Sequence, residues 1–257
     1  MTLKCFLIDI DGVLRLGNMP VEGAIEILDF LKENYKCLLV TNTTRYSLSE
    51  LIKNLKDLGF KVTEKDILTA GSAAIDYIKS IKKNAKCFVI VEGGLTEDFK
   101  KQGLKVVKIG EPADFVVLGH NTKVNYNMLD AAYRYIMQGA DFIATHKMRT
   151  YKREDGTHIT VGVFVKGLEY ATGKEAVVIG KPYPNFFRLG MEKINTENGK
   201  TAMIGDDIFD DIQGAQKCGL KTIFVETGSY KKEDLKKHSI RPDFVLSSIS
   251  EIKSILV

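Results

Sequence analysis

Apolar runs and segments with helical periodicity alternate along the chain. The first run, in KCFLIDIDG, is apolar from Phe6 to Ile8, which is typical of a strand that is buried on both faces of a parallel sheet. Helices are predicted at about 21–34, 47–58 and 72–82, and the apolar runs CLLVTN and ILTAGS lie between them. Repeated strand–helix units form parallel sheets with right-handed crossovers. The pattern therefore predicts an α/β fold.

The spacing of the apolar runs changes near residue 86. The runs CFVIVEGG, LKVVKIG, DFVVLGHN and DFIATHK follow one another closely, and the intervening segments predict helices at about 95–102 and 125–138. A loop is predicted over MRTYKREDGTHITVG, in which we interpret Lys152 and Arg153 as solvated residues, and a helix at about 164–172 follows it. These elements predict a second α/β domain.

From residue 176 the first pattern of strands and helices returns, in AVVIGKP, TAMIGDD, TIFVETG and DFVLSSISEIKSILV. The simplest arrangement is one discontinuous core with an insertion. We therefore predict a core domain made of residues 1–72 and 176–257, with residues 73–175 inserted as the second domain.

Composition and charge exclude several function classes. The chain is 44% hydrophobic and 27% charged, which is typical of soluble globular proteins. Its formal net charge of +4 comes without a dense basic block, so we expect no nucleic-acid partner. No stretch approaches the roughly 18 apolar residues of a membrane span, and the four cysteines lack metal-ligand spacing. We expect a cytoplasmic protein without a membrane partner.

Two carboxylates and a glycine follow the first predicted strand. Residues i and i+2 of a strand point to the same side, so Asp9 and Asp11 can converge on one place beyond the strand end. Two such charges repel unless a cation neutralises them or one of them keeps its proton. Asp and Gly also mark ordinary turns, so this pattern alone does not assign a function.

Three further predicted strands end in polar residues. They precede Thr41 and Asn42 in TNTTR, Lys181 in GKP, and the run from Asp206 to Asp211 in GDDIFDD. Taken alone, Thr41 or Asn42 could be a turn or cap residue, and Lys181 could be a solvated lysine. The run from Asp206 to Asp211 could be acidic residues at a helix N-terminus. Because ligands of open parallel sheets bind beyond the carboxyl ends of strands, these three polar segments and the Asp9–Gly12 segment together indicate one site.

Phosphoryl transfer requires this set of groups, because positioning and charge neutralisation dominate its catalysis. A carboxylate can attack phosphorus, and a second carboxylic acid can protonate the leaving oxygen and later activate water. Carboxylates also hold Mg²⁺, while a hydroxyl, an amide and a lysine can hold the phosphate oxygens.

The four motifs DxDG, Thr after the second strand, Lys, and GDxxxxD resemble those of the haloacid dehalogenase superfamily. The insertion resembles the C2-type cap of its NagD-like phosphatases, and the likeness extends over VTNTTRYSLSELIKNLKDLGF, IATHKMRTYKREDG, LEYATGKEAVVIGKP and MIGDDIFDDIQGAQKCGL. The resemblance implies a Rossmann-like core with a cap that sets specificity. It also implies a Mg²⁺-dependent phosphatase that hydrolyses small phosphorylated substrates through an aspartyl-phosphate, and a homodimer formed through the cap.

The resemblance implies a role for each motif residue. Asp9 is expected to be the nucleophile and a Mg²⁺ ligand. Asp11 is expected to be the general acid and base, and its backbone carbonyl to bind the metal. Thr41 and Asn42 are expected to hold the phosphate. Lys181 is expected to neutralise the charge of the nucleophile and the phosphoryl group.

The last motif supplies two further assignments. Asp206 is expected to bind Mg²⁺, and Asp211 to support the metal or Lys181 without touching the substrate. The motif assigns no role to Asp207 or Asp210, which we interpret as supporting or helix-capping residues.

Specificity is expected from the insertion. His146 and Lys147 directly follow the strand DFIATH, and we predict that they contact the leaving group and favour small anionic phosphate compounds. Val161 and Val163 stand where the family carries a Gly- and Pro-rich stretch, so the segment ITVGVFVKGLEY departs from the family pattern.

Two alternatives use the same aspartate. A phospho-accepting signalling switch also carries acidic residues, Thr and Lys on a parallel sheet, but there the acidic pair precedes the acceptor. In this chain DxDG comes first, and a switch has no use for Asp11 or for a large insertion. A phosphomutase, which holds the phosphoryl group for re-transfer, stays open.

Overall fold

The computed structural model describes residues 3–153 and 156–256. The chain divides into two compact units. Unit 1 comprises Met1–Thr41, Ile52–Leu68 and Lys181–Val257, and unit 2 comprises Asn42–Leu51 and Thr69–Gly180. Their bounds lie within a few residues of the predicted boundaries at 72 and 176, except that residues 42–51 also belong to unit 2.

The strands are numbered along the chain. The first five are β1 (Cys5–Asp9), β2 (Arg15–Leu16), β3 (Met19–Pro20), β4 (Lys36–Thr41) and β5 (Ile67–Thr69). Those of the middle of the chain are β6 (Lys86–Ile90), β7 (Lys105–Val106), β8 (Phe115–Leu118), β9 (Asp141–Ala144), β10 (Thr150–Arg153), β11 (Gly156–Ile159) and β12 (Val177–Val178). The last three are β13 (Thr201–Gly205), β14 (Lys221–Val225) and β15 (Phe244–Leu246).

The helices lie between the strands along the chain. The α-helices are α1 (Ala24–Asn34), α2 (Leu48–Asp57), α3 (Ala70–Ile81), α4 (Leu95–Lys101), α5 (Tyr126–Met137), α6 (Val161–Thr172), α7 (Pro184–Lys193), α8 (Gly214–Lys217) and α9 (Lys232–Lys237). A π-helix, Ile208–Gln213, precedes α8, and 3-10 helices cover Glu64–Asp66, Asn198–Lys200 and Ile249–Ile255. Within residues 3–153 and 156–256, no helix has both the length and the apolar character needed to cross a membrane.

Unit 1 is built on a six-stranded sheet in the order β15-β14-β13-β1-β4-β5. Strand β1 pairs in parallel with β13 on one side and with β4 on the other. Phe6, Leu7 and Ile8 are completely buried, as expected for a central strand that is covered on both faces. The α/β prediction is confirmed, and the carboxyl end of β1 lies between the ends of two neighbouring strands.

Unit 2 has a separate five-stranded sheet in the order β12-β9-β8-β6-β7. Its paired strands run parallel, including β12 with β9. The prediction that a core strand precedes the GKP motif is therefore wrong, because Val177 and Val178 pair with Ile143 and Ala144 of unit 2. A run of two valines is equally apolar in either sheet, so its pattern could not show which sheet it joins.

The predicted loop over residues 148–162 is also corrected. It contains an antiparallel hairpin in which Thr150 of β10 lies opposite Ile159 of β11, and α6 begins at Val161. Lys152 lies opposite Thr157, so β-pairing accounts for the backbone that the sequence left irregular. The side chains of Lys152 and Arg153 lie outside the part of the chain that the structure describes.

Residues 42–51 belong to unit 2 because their polar groups bond there. The backbone N–H of His120 donates to Thr44 Oγ1 over 2.8 Å, and the N–H of Leu48 donates to Asp98 Oδ2 over 2.7 Å. These partners lie 76 and 50 residues away along the chain, so local sequence patterns give no sign of them.

Candidate active site

Asp9 is the last residue of the central strand β1, and its side chain is buried. The register places Asp9 beside Val40 of β4 and places Ile8 beside Ile204 of β13. Thr41, the residue after Val40, and Asp206, two residues after Ile204, therefore leave the same edge of the sheet on either side of Asp9.

Lys181 joins two of the predicted carboxylates in unit 1. Its Nζ donates to Asp9 Oδ1 over 2.5 Å and to Asp211 Oδ1 over 2.6 Å. Lys181 is 3% exposed and Asp211 is 1% exposed, so water barely screens the pairs. Because a lysine is almost never buried without a partner, these two contacts account for its position.

The electrostatics of the cluster reflect an excess of negative charge. Burial raises the pKa of Asp9 well above its ordinary value, against the opposing effect of the Lys181 charge. Burial and the charge of Asp211 raise the pKa of Asp206 to about 7. Burial alone would lower the pKa of Lys181, but Asp211 and Asp9 outweigh it and raise that pKa. One ammonium therefore does not balance the three carboxylates.

Asp206 is held by the loop that follows β14. The backbone N–H of Ser229 donates to Asp206 Oδ2 over 2.6 Å. A Cβ at Gly228 would lie 2.0 Å from the same oxygen, and a Cβ at Gly12 would lie 2.5 Å from Asp206 Cγ. Gly12 also has φ +95°, a conformation that glycine adopts readily. The glycine of DxDG is thus required by both backbone geometry and the approach of Asp206.

Asp207 caps the π-helix that follows Asp206. Its Oδ1 accepts hydrogen bonds from the backbone N–H groups of Phe209 and Asp210, both at 2.8 Å. Its own N–H donates to Asp211 Oδ2 over 3.1 Å. The capping interpretation therefore describes Asp207, which also orients Asp211 through its backbone.

The donor set of this cluster fits a hard divalent cation. Asp9, Asp206 and Asp211 each offer a carboxylate oxygen within 4.8 Å of the others. Both oxygens of Asp211 already accept hydrogen bonds, from Lys181 and from the N–H of Asp207. Asp9 and Asp206 are therefore the better-placed ligands, and a bound cation would stabilise their ionised forms.

Asp11 lies in the turn beyond β1, and its side chain is 50% exposed. Its Oδ1 accepts a hydrogen bond from Arg15 Nε over 2.8 Å. Asp11 is thus the accessible carboxylate of the motif, whereas Asp9 is the buried one.

The two residues predicted to hold phosphate fall in different units. Thr41 ends β4 in unit 1 and is 2% exposed. Asn42 begins the first segment of unit 2, where its Nδ2 lies 3.9 Å from Met148 Sδ. The structure thus places Thr41 on the strand beside Asp9, and the role of Asn42 stays a prediction.

His146 and Lys147 lie in unit 2 after β9. Burial, followed by the charge of His120, lowers the pKa of His146 to about 4, so its imidazole is neutral at pH 7. Lys147 Nζ lies 2.5 Å from Glu169 Oε1, and Lys166 Nζ lies 2.9 Å from Glu169 Oε2. A carboxylate thus offsets the charge of Lys147, and these residues give less positive charge than the sequence predicts.

Sequence reasoning missed four residues around the cluster. Arg15 contacts Asp11, Thr227 Oγ1 donates to the carbonyl of Gly12 over 2.5 Å, and Gly228 and Ser229 enclose Asp206. The sequence did carry one signal, since the polar stretch ETGSY follows the apolar strand TIFV as the four recognised motifs follow theirs.

Comparison with known families agrees with this geometry. The family model for haloacid dehalogenase-like hydrolases matches residues 6–105, and a second model, for HAD-hydrolase-like proteins, matches residues 178–252. The chain is 36% identical to haloacid dehalogenase-like hydrolase domain-containing protein 2 from Bos taurus, over 93% of this chain and 90% of the relative. It is 29% identical to phospholysine phosphohistidine inorganic pyrophosphate phosphatase from Homo sapiens, over 98% and 93%.

Solved structures share the whole fold. A p-nitrophenyl phosphatase from Archaeoglobus fulgidus has a TM-score of 0.93 and 32% identity, with all of both chains covered. NagD from Escherichia coli K-12 has a TM-score of 0.86 and 28% identity, covering 98% of each chain. A glycerol phosphate phosphatase from Mycobacterium tuberculosis, solved with magnesium, has a TM-score of 0.84 and 27% identity, covering 96% of this chain and 75% of that one. The resemblance read from the motifs is confirmed: the chain belongs to the haloacid dehalogenase-like hydrolase family and is similar to its NagD-like members.

Proposed function

We propose that the protein is a Mg²⁺-dependent phosphatase that hydrolyses small phosphate compounds through an aspartyl-phosphate on Asp9. The observation that carries this proposal is the buried cluster in which Lys181 bridges Asp9 and Asp211, with Asp206 beside them. The phosphatases among the relatives and solved structures support it.

In the first step, an oxygen of Asp9 attacks phosphorus while the bond from phosphorus to the leaving oxygen breaks. Asp11 gives its proton to that oxygen, so the leaving group departs neutral. Lys181 offsets the charge of the attacking carboxylate and of the phosphoryl oxygens, while Thr41 and Asn42 bind the latter. A bound Mg²⁺ would supply further positive charge beside Asp9 and Asp206.

In the second step, water attacks the phosphorus of the aspartyl-phosphate and releases inorganic phosphate. Asp11, now ionised, takes a proton from that water, which returns both carboxyl groups to their starting states. The half-exposed position of Asp11 permits this exchange, while the burial of Asp9 limits access of water to the nucleophile before substrate binds.

The test is a phosphatase assay on a panel of small phosphate esters, phosphoamidates and pyrophosphate. Asp9→Asn is expected to remove nearly all activity, because a neutral amide does not attack phosphorus. Asp29→Asn, which alters an exposed ion pair with Lys61 elsewhere in unit 1, is the matched control and should keep wild-type rates. An Asp9→Asn enzyme with more than a few per cent of the wild-type rate would refute the assignment.

Metal dependence is tested separately. Activity should disappear in EDTA and return with Mg²⁺, while Ca²⁺ should raise the melting temperature without restoring turnover. Ca²⁺ accepts more ligands in looser geometry and can take both oxygens of one carboxylate, which occupies the nucleophile. Full activity in chelator would contradict a metal-dependent site.

His146 and Lys147 are retained as proposed contacts to the leaving group. Because His146 is neutral at pH 7 and Glu169 offsets Lys147, we propose hydrogen bonding rather than positive charge as their contribution. His146→Ala and Lys147→Ala should then slow the best panel substrate about tenfold more than 4-nitrophenyl phosphate, a loss of about 1.4 kcal/mol of transition-state binding. Equal losses on both substrates would remove them from substrate recognition.

A further inference from the structure

An arginine that no motif assigns lies beside the accessible carboxylate of DxDG. Arg15 begins β2, and its side chain is only 6% exposed. Its Nε donates to Asp11 Oδ1 over 2.8 Å. Arginine is almost never buried without charged or hydrogen-bonding partners. The burial of Arg15 beside a half-exposed carboxylate therefore indicates a specific role for this contact.

The backbone around this pair forms one tight turn. The N–H groups of Leu14 and Arg15 both donate to the carbonyl of Ile10, over 2.9 and 3.1 Å. The N–H of Gly12 donates to the carbonyl of Arg15 over 2.8 Å. The turn therefore fixes the Cα of Arg15 relative to Asp11, so the reach of the guanidinium is set before any substrate binds.

The contact occupies one oxygen of Asp11. Oδ1 accepts the Nε–H bond, and half of the Asp11 side chain is still exposed. The planar guanidinium presents its Nε–H in a fixed direction, which a flexible ammonium does not, so this hydrogen bond restrains Oδ1 of Asp11. Exposed carboxylates otherwise rotate freely, which costs conformational entropy when a proton must pass along one direction.

We propose that Arg15 is a positioning residue that fixes Asp11 for proton transfer to the leaving group. The inference rests on the proposed phosphatase function. In the step concerned, the bond from Asp9 to phosphorus forms and the bond from phosphorus to the leaving oxygen breaks. The electron pair of that bond stays on the leaving oxygen, which takes the proton from Asp11. Arg15 touches neither substrate nor phosphorus and acts through Asp11.

A purely structural role is the alternative, since Arg15 also begins the hairpin of β2 and β3. The two roles differ in which substrates they affect. Proton donation matters most for a poor leaving group such as phenolate, and little for 4-nitrophenolate, which leaves readily as an anion. Loss of the hairpin fold would slow both substrates alike.

The experiment measures phenol release in single turnovers with enzyme in excess, so that only the first chemical step is observed. Arg15→Met is expected to slow phenyl phosphate about tenfold or more and 4-nitrophenyl phosphate less than about threefold, while the enzyme concentration that gives half of the maximal single-turnover rate stays nearly unchanged. Arg15→Lys should recover part of the loss, because it keeps a donor and a charge. Arg15→Gln, a neutral polar variant, gives the same comparison if the methionine variant folds poorly.

Two controls separate the outcomes. Arg134→Met removes the guanidinium of an exposed i,i+4 pair with Asp130 on α5 and should leave both rates unchanged. If Arg15 acts on the reaction through the Asp11 carboxyl group, Arg15→Met should add nothing to Asp11→Asn on phenyl phosphate.

Additive losses in the double variant, or equal slowing of both substrates, would overturn the positioning role. An unchanged Arg15→Met enzyme would overturn it as well. These results leave the proposed function standing, since that function is tested separately, by the activity of Asp9→Asn, by the chelator experiment and by the substrate panel.

Discussion

Lys181→Met tests whether the buried cluster has the charge balance described for it. The variant keeps most of the side-chain volume but removes the ammonium that lies 2.5 Å from Asp9 and 2.6 Å from Asp211. Removing one partner of a buried ion pair costs about 3–5 kcal/mol, because it leaves uncompensated charge in a medium that solvates it poorly. We expect a loss of that size in the free energy of unfolding at pH 8.

The loss should shrink as the pH falls. In the folded state burial raises the pKa values of Asp9 and Asp206 above the ordinary value of 3.8, and the charge of Lys181 opposes both shifts. A carboxylate whose folded pKa is raised takes up protons more readily when folded, so stability is gained as the pH falls from that pKa towards 3.8. Because the pKa of Asp206 is raised to about 7, we expect Lys181→Met to recover stability between pH 8 and pH 5.

Urea denaturation followed by far-UV circular dichroism at pH 8 and pH 5 measures both effects, with Lys221→Met as the control. Lys221 pairs with Asp243 in the same unit, but its side chain is 39% exposed, so its loss should cost less than about 1 kcal/mol. A Lys181→Met protein within 1 kcal/mol of the control at pH 8, or one whose loss relative to the wild type does not shrink between pH 8 and pH 5, would refute the reasoning.

Three further variants test single contacts. Gly228→Ala would place a Cβ 2.0 Å from Asp206 Oδ2, and it should lower activity at least tenfold and raise the Mg²⁺ concentration needed for half-maximal activity. Gly167→Ala, which has open space around it, should change neither quantity. His146 has a folded pKa of about 4 against 6.5 when unfolded, so the wild type should lose up to roughly 3 kcal/mol between pH 6.5 and 4, and His146→Gln should lose less over that range in acid titrations. Asp207→Ala removes the acceptor of two backbone N–H groups and should lower the urea-derived stability by about 1 kcal/mol.

The positions of the motif residues could be predicted because each depends on local pattern. Asp9 and Asp206 follow apolar runs that are long enough to identify strands, and parallel strands end at one edge of a sheet. The spacing from Asp206 to Asp211 likewise falls within one turn-and-helix segment. The fold class needed nothing beyond such patterns, whereas the family came from the resemblance of the four motifs to a known superfamily.

Two of the missed contacts join residues that are distant along the chain. Ser229 reaches Asp206 from 23 residues away, and Lys147 meets Glu169 from the next helix of unit 2. Strand β12 is two residues long, so neither its length nor its composition indicates which sheet it pairs with. The Arg15 contact is local, but an arginine after a turn is most often a solvated residue, and only its burial distinguishes it here.

The order of strands in unit 1 explains why the proposed roles divide around Asp9. Because β1 lies between β4 and β13, Asp9 has the hydroxyl residue Thr41 at the end of one neighbour and the carboxylate Asp206 directly after the other. An edge strand would offer only one of these. Lys181 follows β12 along the chain, and β12 is not a strand of the six-stranded sheet. Lys181 therefore donates to Asp9 and Asp211 without occupying a strand end of that sheet. Phosphate binding is thus expected on the Thr41 side and cation binding on the Asp206 side, with the balancing ammonium between the carboxylates.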